Sequence, residues 1–356
     1  MVGISLLTLV PGVVGGSETY ARNLVRALSR VGELDYRVFV PTIAEDAADG
    51  LPARTVAAYR ARTSFAGRLA AMARASVRPG PVRRELEADR LDAIHFPLSV
   101  MIPPLDGTPS ASSILDLQHA YHPEFFSAGE RAYRGLVYGW TARRSRLLIA
   151  ISEHVMETLV ERLDVAPERV RVIHLGVDLE RFRPGDEQRE PFLLYPANRW
   201  PHKNHDRLLE AFALVRRERP ELRLVLTGAG HEGTPPVPGV EVRGRVDDDA
   251  LVQLYRTASA LVFPSLYEGF GQPPVEAMAC GCPVAASNVT ALPEICGDAA
   301  RYFDPTSAES IADAVLSLLA DPGPLVVRGL ARAQSFTWEA CARRHDAVYG
   351  ELAAAA

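Results

Sequence analysis

Glu268-Gly-Phe-Gly-Gln-Pro-Pro-Val-Glu276 follows directly on the apolar run 260–264 and leads into a second apolar stretch. This is the grammar of a buried strand, a tight loop and a helix. Gly269 and Gly271 let the backbone come close to a ligand. Pro273 and Pro274 suit a first helical turn, and a helix N-terminus turns amides and a positive dipole toward anions such as phosphate. Phe270 and Gln272 share the loop. Glu276 is expected in the first turn, where a carboxylate can accept hydrogen bonds from both hydroxyls of a ribose. Glu268, on the loop itself, is free to meet another part of the same ligand. Either acid alone is equally well explained as complementing a helix dipole. Two acids framing the glycines point instead to a nucleotide ligand.

The same alternation of apolar run and helix-period segment extends in both directions. Upstream in this half it begins at 192–197 and continues through a helix from about Asn204, then 222–227 and 240–243; beyond the quoted loop comes 284–286. The first half carries its own series at 2–10, 38–40, 93–96, 113–115, 147–151 and 170–175. After its first strand comes a loop over 11–16 containing Gly15 and Gly16. Ser17 is read as the cap of a helix that carries Tyr20, Leu24, Ala27, Leu28 and Val31 on one face. Each parallel strand needs a crossover helix, so the pattern predicts an α/β protein with two Rossmann-like doubly wound sheets. The expected domains are 1–180, a polar, proline-flanked linker at 181–191, a second domain at 192–335, and a terminal helix over 336–356. In such folds ligands bind beyond the carboxyl ends of the strands, here expected in a central cleft.

Composition agrees with two packed domains. The chain has 356 residues, 47% hydrophobic and 23% charged. No apolar run reaches the roughly 18 residues of a spanning helix, and the apolar opening lacks the basic flank of a signal peptide. A cytoplasmic protein is expected. Its four cysteines have neither metal-ligand spacing nor disulfide density. A net charge of −5 gives no general attraction to nucleic acid. Charge is unevenly spread, however: between Arg54 and Arg84 lie eight arginines and no acid. Interleaved apolar residues leave three readings open for this segment: peripheral contact with the anionic inner face of a membrane, an anionic acceptor groove, or a solvated helix face.

The basic residues hold a second anomaly. Of 39, Lys203 alone is lysine. Where guanidinium serves everywhere else, a single ammonium argues for a need that only a compact point charge meets, such as a phosphate oxygen. Lys203 follows strand 192–197 and precedes Asn204, read as a helix cap, which aims it at the cleft edge. Asn198 and Arg199 lie on the same loop. Gly228 and Gly230 are either a bare turn or part of a nucleotide floor. His119 and His122 follow Asp116 at the end of a first-half strand, where a histidine can serve chemistry or structure equally.

Together with Gly15-Gly16-Ser17-Glu18, Asp116-Leu-Gln-His119, His122-Pro-Glu-Phe-Phe126, Ile173-His-Leu-Gly-Val-Asp178, Tyr195-Pro-Ala-Asn-Arg-Trp-Pro-His-Lys-Asn204 and Leu226-Thr-Gly-Ala-Gly230, the opening stretch resembles the retaining glycosyltransferases of family 4. These have two Rossmann-like domains in the arrangement called GT-B. The resemblance covers nearly the whole chain. It implies that Glu276 holds the donor ribose, Glu268 touches the transferred sugar, and Lys203 binds the donor diphosphate with Asn198 or Arg199 beside it. Gly15 and Gly16 would approach the phosphates or the acceptor, and the backbone at Arg245 and Val246 would meet the base. The histidine that relatives carry before the aspartate is Leu115 here, so His119 or His122 would stand against the sugar. The implied reaction moves a hexosyl group from a UDP- or GDP-sugar to a glycan, lipid-linked or small-molecule hydroxyl, as in polysaccharide biosynthesis. Anomeric configuration would be retained, with no metal ion and no cofactor beyond the donor substrate. Two alternatives share the architecture: a non-hydrolysing nucleotide-sugar epimerase and a non-catalytic scaffold for a partner transferase.

Overall fold

The computed structural model describes residues 1–12, 15–231 and 236–354. Two compact units emerge, one comprising Met1–Gly176 with the chain from Trp338 onward, the other Val177–Thr337. Val13 and Val14 of the expected loop 11–16 lie outside the described residues.

The first unit runs β1 (Val2–Ser5), α1 (Gly16–Val31), β2 (Tyr36–Val40), β3 (Ala53–Thr55), α2 (Phe65–Val77), α3 (Gly80–Glu87), β4 (Ala93–Phe96), β5 (Ser110–Ile114), α4 (Gln118–Tyr121), α5 (Ala128–Arg144), β6 (Leu147–Ala150), α6 (Glu153–Leu163) and β7 (Val170–Val172). Its seven strands are ordered β3-β2-β1-β4-β5-β6-β7, each pair parallel. The central strands β1, β4, β5 and β6 are buried throughout, as a sheet covered on both faces requires. At Gly3 the packing is close: a Cβ would stand 2.7 Å from Leu91 Cδ1 and 3.0 Å from Phe39 Cε2, so a larger residue would push these side chains aside.

The second unit runs β8 (Glu190–Pro196), α7 (His205–Glu218), β9 (Arg223–Thr227), β10 (Val240–Gly244), α8 (Asp248–Thr257), β11 (Ala258–Phe263), α9 (Gln272–Ala279), β12 (Val284–Ser287), α10 (Leu292–Cys296), β13 (Ala300–Phe303), α11 (Ala308–Ala320) and α12 (Gly323–Ala333). Six parallel strands lie in the order β10-β9-β8-β11-β12-β13. Both sheets are therefore doubly wound, and each has a switch point where its first strand meets its fourth: β1 beside β4, β8 beside β11. Crossovers leave these paired strands toward opposite faces, which opens a crevice at their carboxyl ends.

The last helix, α13 (Trp338–Ala353), buries Trp338, Cys341, Ala342, His345, Val348, Tyr349 and Leu352, a stripe at 3–4-residue spacing, and packs on α1 of the first unit. A fully buried polar network fixes its register. Tyr20 Oη lies 2.7 Å from Ser113 Oγ and 2.9 Å from His345 Nε2. His95 Nε2 lies 2.8 Å from Ser113 Oγ, and His95 Nδ1 2.7 Å from Tyr349 Oη. His345 Nδ1 reaches the Cys341 carbonyl at 2.9 Å. With every member satisfied inside a low-dielectric core, such a network admits one register and penalises others.

Several local expectations are revised. The first strand ends at Ser5, not at Val10, because the Leu9 amide turns back to the Leu6 carbonyl at 2.9 Å; the apolar run continues as a buried loop. Gly15, at φ 54°, caps α1 in place of Ser17, which lies inside the helix, and no side chain caps this end. The fifth strand starts at Ser110, earlier than 113, because Ser112 and Ser113 spend their hydroxyls on Ser145 and on Tyr20 and His95 and so sit in a sheet core without penalty. β3 and β13 have no counterpart in the pattern reading; both are short edge strands broken by an arginine. The stretch 181–191 is no free linker. Val177 bridges Thr337, Phe182 packs edge-on to Tyr255 at 6.1 Å, and Arg256 Nε donates to the Arg183 carbonyl at 2.9 Å, so the chain from Val177 is strapped to the second unit.

Candidate functional site

In the second unit, β8 and β11 deliver their loops to the switch point. After β8 the chain turns through Asn198, Arg199 and Trp200 into a single 3-10 turn, Pro201–Lys203. Asn204 then takes the left-handed conformation, φ 59° and ψ 37°, and starts α7 without capping it through its side chain. Its amide instead reaches across, donating to the Pro264 carbonyl at 3.0 Å and the Pro305 carbonyl at 2.8 Å. The Leu266 amide donates to the His202 carbonyl at 2.8 Å, and Tyr195 Oη to the Lys203 carbonyl at 2.7 Å. The bonds to Pro264 and from Leu266 hold the Lys203 segment against the loop that leaves β11, and those to Pro305 and from Tyr195 tie it to the loop after β13 and to β8.

The side chains meet as a consequence. Lys203 Nζ lies 2.5 Å from Glu268 Oε1, with 14% and 13% of the two side chains exposed. The ammonium also stands 5.3 Å from the centroid of the Phe263 ring, a geometry that favours a cation. Glu268 is anchored by its own amide, which donates to Thr290 Oγ1 at 3.1 Å. Gly271 follows at φ 103°, where a Cβ would also press to 2.6 Å from Leu292 Cδ2. Only glycine allows the chain to turn into α9 here.

Glu276 sits just past the first turn in which it was expected. Since α9 begins at Gln272, Glu276 is its fifth residue, and no acid lies in the first turn. Tyr255 Oη, from α8, donates to Glu276 Oε2 at 3.0 Å. Burial pushes the Glu276 carboxyl up to about 7; hydrogen bonding from Tyr255 and Gln272 acts the other way, while Asp248 adds to the rise. The prolines also revise the picture of an amide-rich helix start. Pro273 and Pro274 have no N–H, so of the first three helical residues only Gln272 carries a donor. Positive charge at this loop comes chiefly from Lys203.

The floor beside these groups is built by the β8 and β9 loops. Asn198 Oδ1 accepts from the Ala229 amide at 2.7 Å, and the Arg199 amide donates to the Ala229 carbonyl at 2.8 Å. Gly228, at φ 113°, would carry a Cβ 2.6 Å from the Ala197 carbonyl carbon, so this crossing exists only because the residue is glycine. Gly230, at φ 86°, faces Arg199 at 3.4 Å. Asn198 is therefore a brace, and Arg199 pairs with Asp206 at 3.1 Å. Arg245 is exposed and Val246 half-buried at the end of β10, just before Asp247 caps α8.

Asp247, Asp248 and Asp249 have Asp-x-Asp spacing that the sequence reading passed over. Asp247 accepts from the Ala250 amide at 2.8 Å as a cap, and Asp248 pairs with Arg181. Among the described residues no group of three or more His, Cys, Asp or Glu side chains is arranged to hold a metal ion.

The remaining predicted residues belong to the first unit. Gly15 and Gly16 open α1 beyond β1, and Glu18 closes that loop by accepting from the Gly12 amide at 2.7 Å. His119 lies on α4 beyond β5, buried, with its ring edge-on to Tyr138 at 5.6 Å and Phe126 at 6.4 Å. Burial, then the Arg134 guanidinium, holds its imidazole below the usual histidine range, with Asp116 opposing. Its Nδ1 has no hydrogen-bond partner. His122 is half-buried, stacked on Phe125 at 5.1 Å and 3.0 Å from Glu124 Oε1. Of the eight arginines from Arg54 to Arg84, Arg54 pairs with Asp89 at 2.8 Å and Arg83 with Asp106. Arg60, Arg62, Arg74, Arg78 and Arg84 are exposed, as is Val77. No single described helix is long and apolar enough to cross a membrane.

Tyr255 and Thr290 escaped the sequence reading. Neither lies in a motif, and only the packing of α8 and of the loop after β12 brings them to the two glutamates.

Two family models match the chain in tandem. "Glycosyltransferase Family 4" covers residues 14–181 and "Glycosyl transferases group 1" covers residues 177–333. Among curated proteins, the O-antigen chain mannosyltransferase B of Escherichia coli is 41% identical over 164 residues, 42% of this chain and 43% of the relative. The chain spans about half or less of the length of the curated relatives it matches. Among solved structures, sucrose-phosphate synthase from Thermosynechococcus elongatus aligns with 100% of this chain and 99% of its own at a TM-score of 0.76 and 21% identity. HepE of Anabaena, in complex with UDP and glucose, aligns with 98% of this chain and 99% of its own at 0.73 and 18% identity. These structures share the GT-B fold, which is the fold of this chain.

Proposed function

Because the chain belongs to the glycosyl transferases group 1 family, we propose that it transfers a hexosyl group from a nucleotide-diphosphate sugar to an acceptor hydroxyl, with retention and without a metal ion. The observation that carries this reading is the Lys203–Glu268 pair at the β8/β11 switch point, one helical segment away from the half-buried Glu276.

Each group has a task that follows from its chemistry. The donor diphosphate competes with Glu268 for the Lys203 ammonium, since two phosphate charges outweigh one carboxylate. Glu268, released, accepts hydrogen bonds from the transferred sugar's hydroxyls. Glu276 accepts from the ribose. As the anomeric carbon becomes cationic, Lys203 stabilises the charge that builds on the leaving phosphate. The leaving phosphate oxygen takes the acceptor proton on the same face, which accounts for retention and requires no protein nucleophile. His119, buried and already depleted of protons, is suited to accept or donate a neutral hydrogen bond to sugar.

A relative that is a mannosyltransferase of O-antigen chains makes GDP-mannose the first donor to try, and a growing glycan or lipid-linked glycan the first acceptor. HepE, bound to UDP and glucose, makes UDP-glucose the second. The exposed arginines of α2 and its flanks, with Val77 among them, support peripheral contact with anionic lipid.

Thermal-shift titration with UDP, GDP, ADP, dTDP and their sugars tests the reading, because a ligand that binds only the native state raises the melting temperature. Wild type is expected to respond to one nucleotide series, in EDTA as well as in Mg2+, and Glu276→Ala to lose the response. An unchanged response in Glu276→Ala removes the ribose assignment.

A further inference from the structure

We propose that Tyr255 is the positioning residue of the nucleotide site, its hydroxyl holding Glu276 in the orientation and charge state in which the carboxylate accepts the ribose hydroxyls. The proposal rests on the reading of Glu276 given above and adds to it a residue from another element.

Tyr255 is fully buried near the C-terminal end of α8, its ring edge-on to Phe182. A buried phenol must place its O–H somewhere, and this one donates to Glu276 Oε2 at 3.0 Å. The contact fixes one oxygen and with it the carboxylate plane, and of the carboxylate's roughly four lone pairs those not taken by Tyr255 and Gln272 stay available to a ligand. From its own helix Gln272, one turn back, adds a second restraint. The charged surroundings otherwise work against ionisation. Asp248 of α8 repels the carboxylate, and the Cys280 thiol, just past the end of α9, is pushed up to about 12 by burial, then by Cys282 and Glu276, against the opposing Arg256 guanidinium, which is itself bound to the Arg183 carbonyl and Glu187. From α12, Gly329 faces Met278, while Arg328 donates to the Asp298 carbonyl and Arg332 to those of Ile295 and Glu294. Those cations are committed elsewhere. Hydrogen bonds to the charged form are thus what keeps Glu276 available as an acceptor, and Tyr255 is the interelement one.

A role in packing alone and a role in charge state predict different pH behaviour. UDP-glucose and GDP-mannose are suitable probes, because their diphosphates carry no titrating proton between pH 5 and 9. In wild type, affinity is expected to fall as pH drops through about 7, as Glu276 takes up a proton. Tyr255→Phe keeps the ring and removes the donor. It is expected to weaken binding about tenfold at pH 7, to move the midpoint upward by about one pH unit, and to recover most of the affinity by pH 9. A loss that is the same at every pH, or no loss, overturns the proposal. Glu276→Gln separates the two levels: binding as tight as wild type in that variant refutes the ribose assignment itself. The charge state can be read without any nucleotide, by carboxyl 13C NMR titration of Glu276 in wild type and Tyr255→Phe, where equal midpoints overturn the proposal. Should Tyr255→Phe fail to fold, 3-fluorotyrosine at 255, a stronger donor of the same shape, is expected to move the midpoint downward, and an unmoved midpoint is again the refuting result.

Discussion

Acid should loosen the first unit through one histidine, and the size of the effect follows from its surroundings. His345 is 0% exposed, and burial holds its imidazole down at about 4 against an ordinary 6.5, only partly offset by its bond to the Cys341 carbonyl. The folded state therefore binds this proton more weakly than the unfolded state. Stability from this group is complete above pH 6.5 and is lost as pH falls from 6.5 toward 4. A depression of this size corresponds to about 3 kcal/mol in the acid limit and about 2 kcal/mol by pH 5. His95 adds to the loss in the same direction, since burial and His345 hold it well below the usual range. Urea denaturation at pH 8 and pH 5, followed by fluorescence of the buried Trp338 on α13, reads the effect in wild type and in His345→Gln. The variant starts less stable, having lost part of the Tyr20–His345–Cys341 chain. Between the two pH values it should lose about 2 kcal/mol less than wild type. Equal losses in the two proteins would refute the linkage and with it the view that a neutral His345 locks α13 in place.

Two further perturbations address the second unit. Glu268→Gln leaves Lys203 without its counter-ion, so the free nucleoside diphosphate selected by the thermal-shift panel should bind roughly tenfold tighter, while sugar transfer falls; calorimetric titration reporting equal or weaker binding would show that the two do not compete for Lys203. Gly228→Ala forces a side chain into a left-handed position 2.6 Å from Ala197, which should cost roughly 1–3 kcal/mol, lower the calorimetric melting temperature and weaken the nucleotide response; a melting temperature equal to wild type would show that the crossing of the β8 and β9 loops can relax.

Much of the architecture was legible in the amino-acid order, because strand and helix periodicity are properties of neighbouring residues. The run before Glu268, the glycines after it and the prolines that follow specify strand, loop and helix within about fifteen residues. The lone lysine in a chain of arginines singled out position 203 from composition alone, and the structure places it against Glu268. Errors clustered where local chemistry was ambiguous. Ser17 and Asn204 have the right side chains for caps, yet Gly15 caps the start of α1, and Asn204 uses its amide to tie its loop to those after β11 and β13. Glu276 falls just past the first turn because the backbone starts the helix at Gln272, one residue before the two prolines that mark it in the sequence.

Strand order, and everything that depends on it, belongs to the tertiary structure. Only the placing of β8 beside β11 brings Lys203 within 2.5 Å of a glutamate 65 residues away. Only the packing of α8 on α9 gives Glu276 its tyrosine, and only the return of α13 joins His95 to Tyr349 across 254 residues. Local sequence sets which backbone conformations are cheap, so it specifies elements and turns. Which distant side chains share a buried bond is decided when whole faces pack and water leaves, and no short window of residues contains that information.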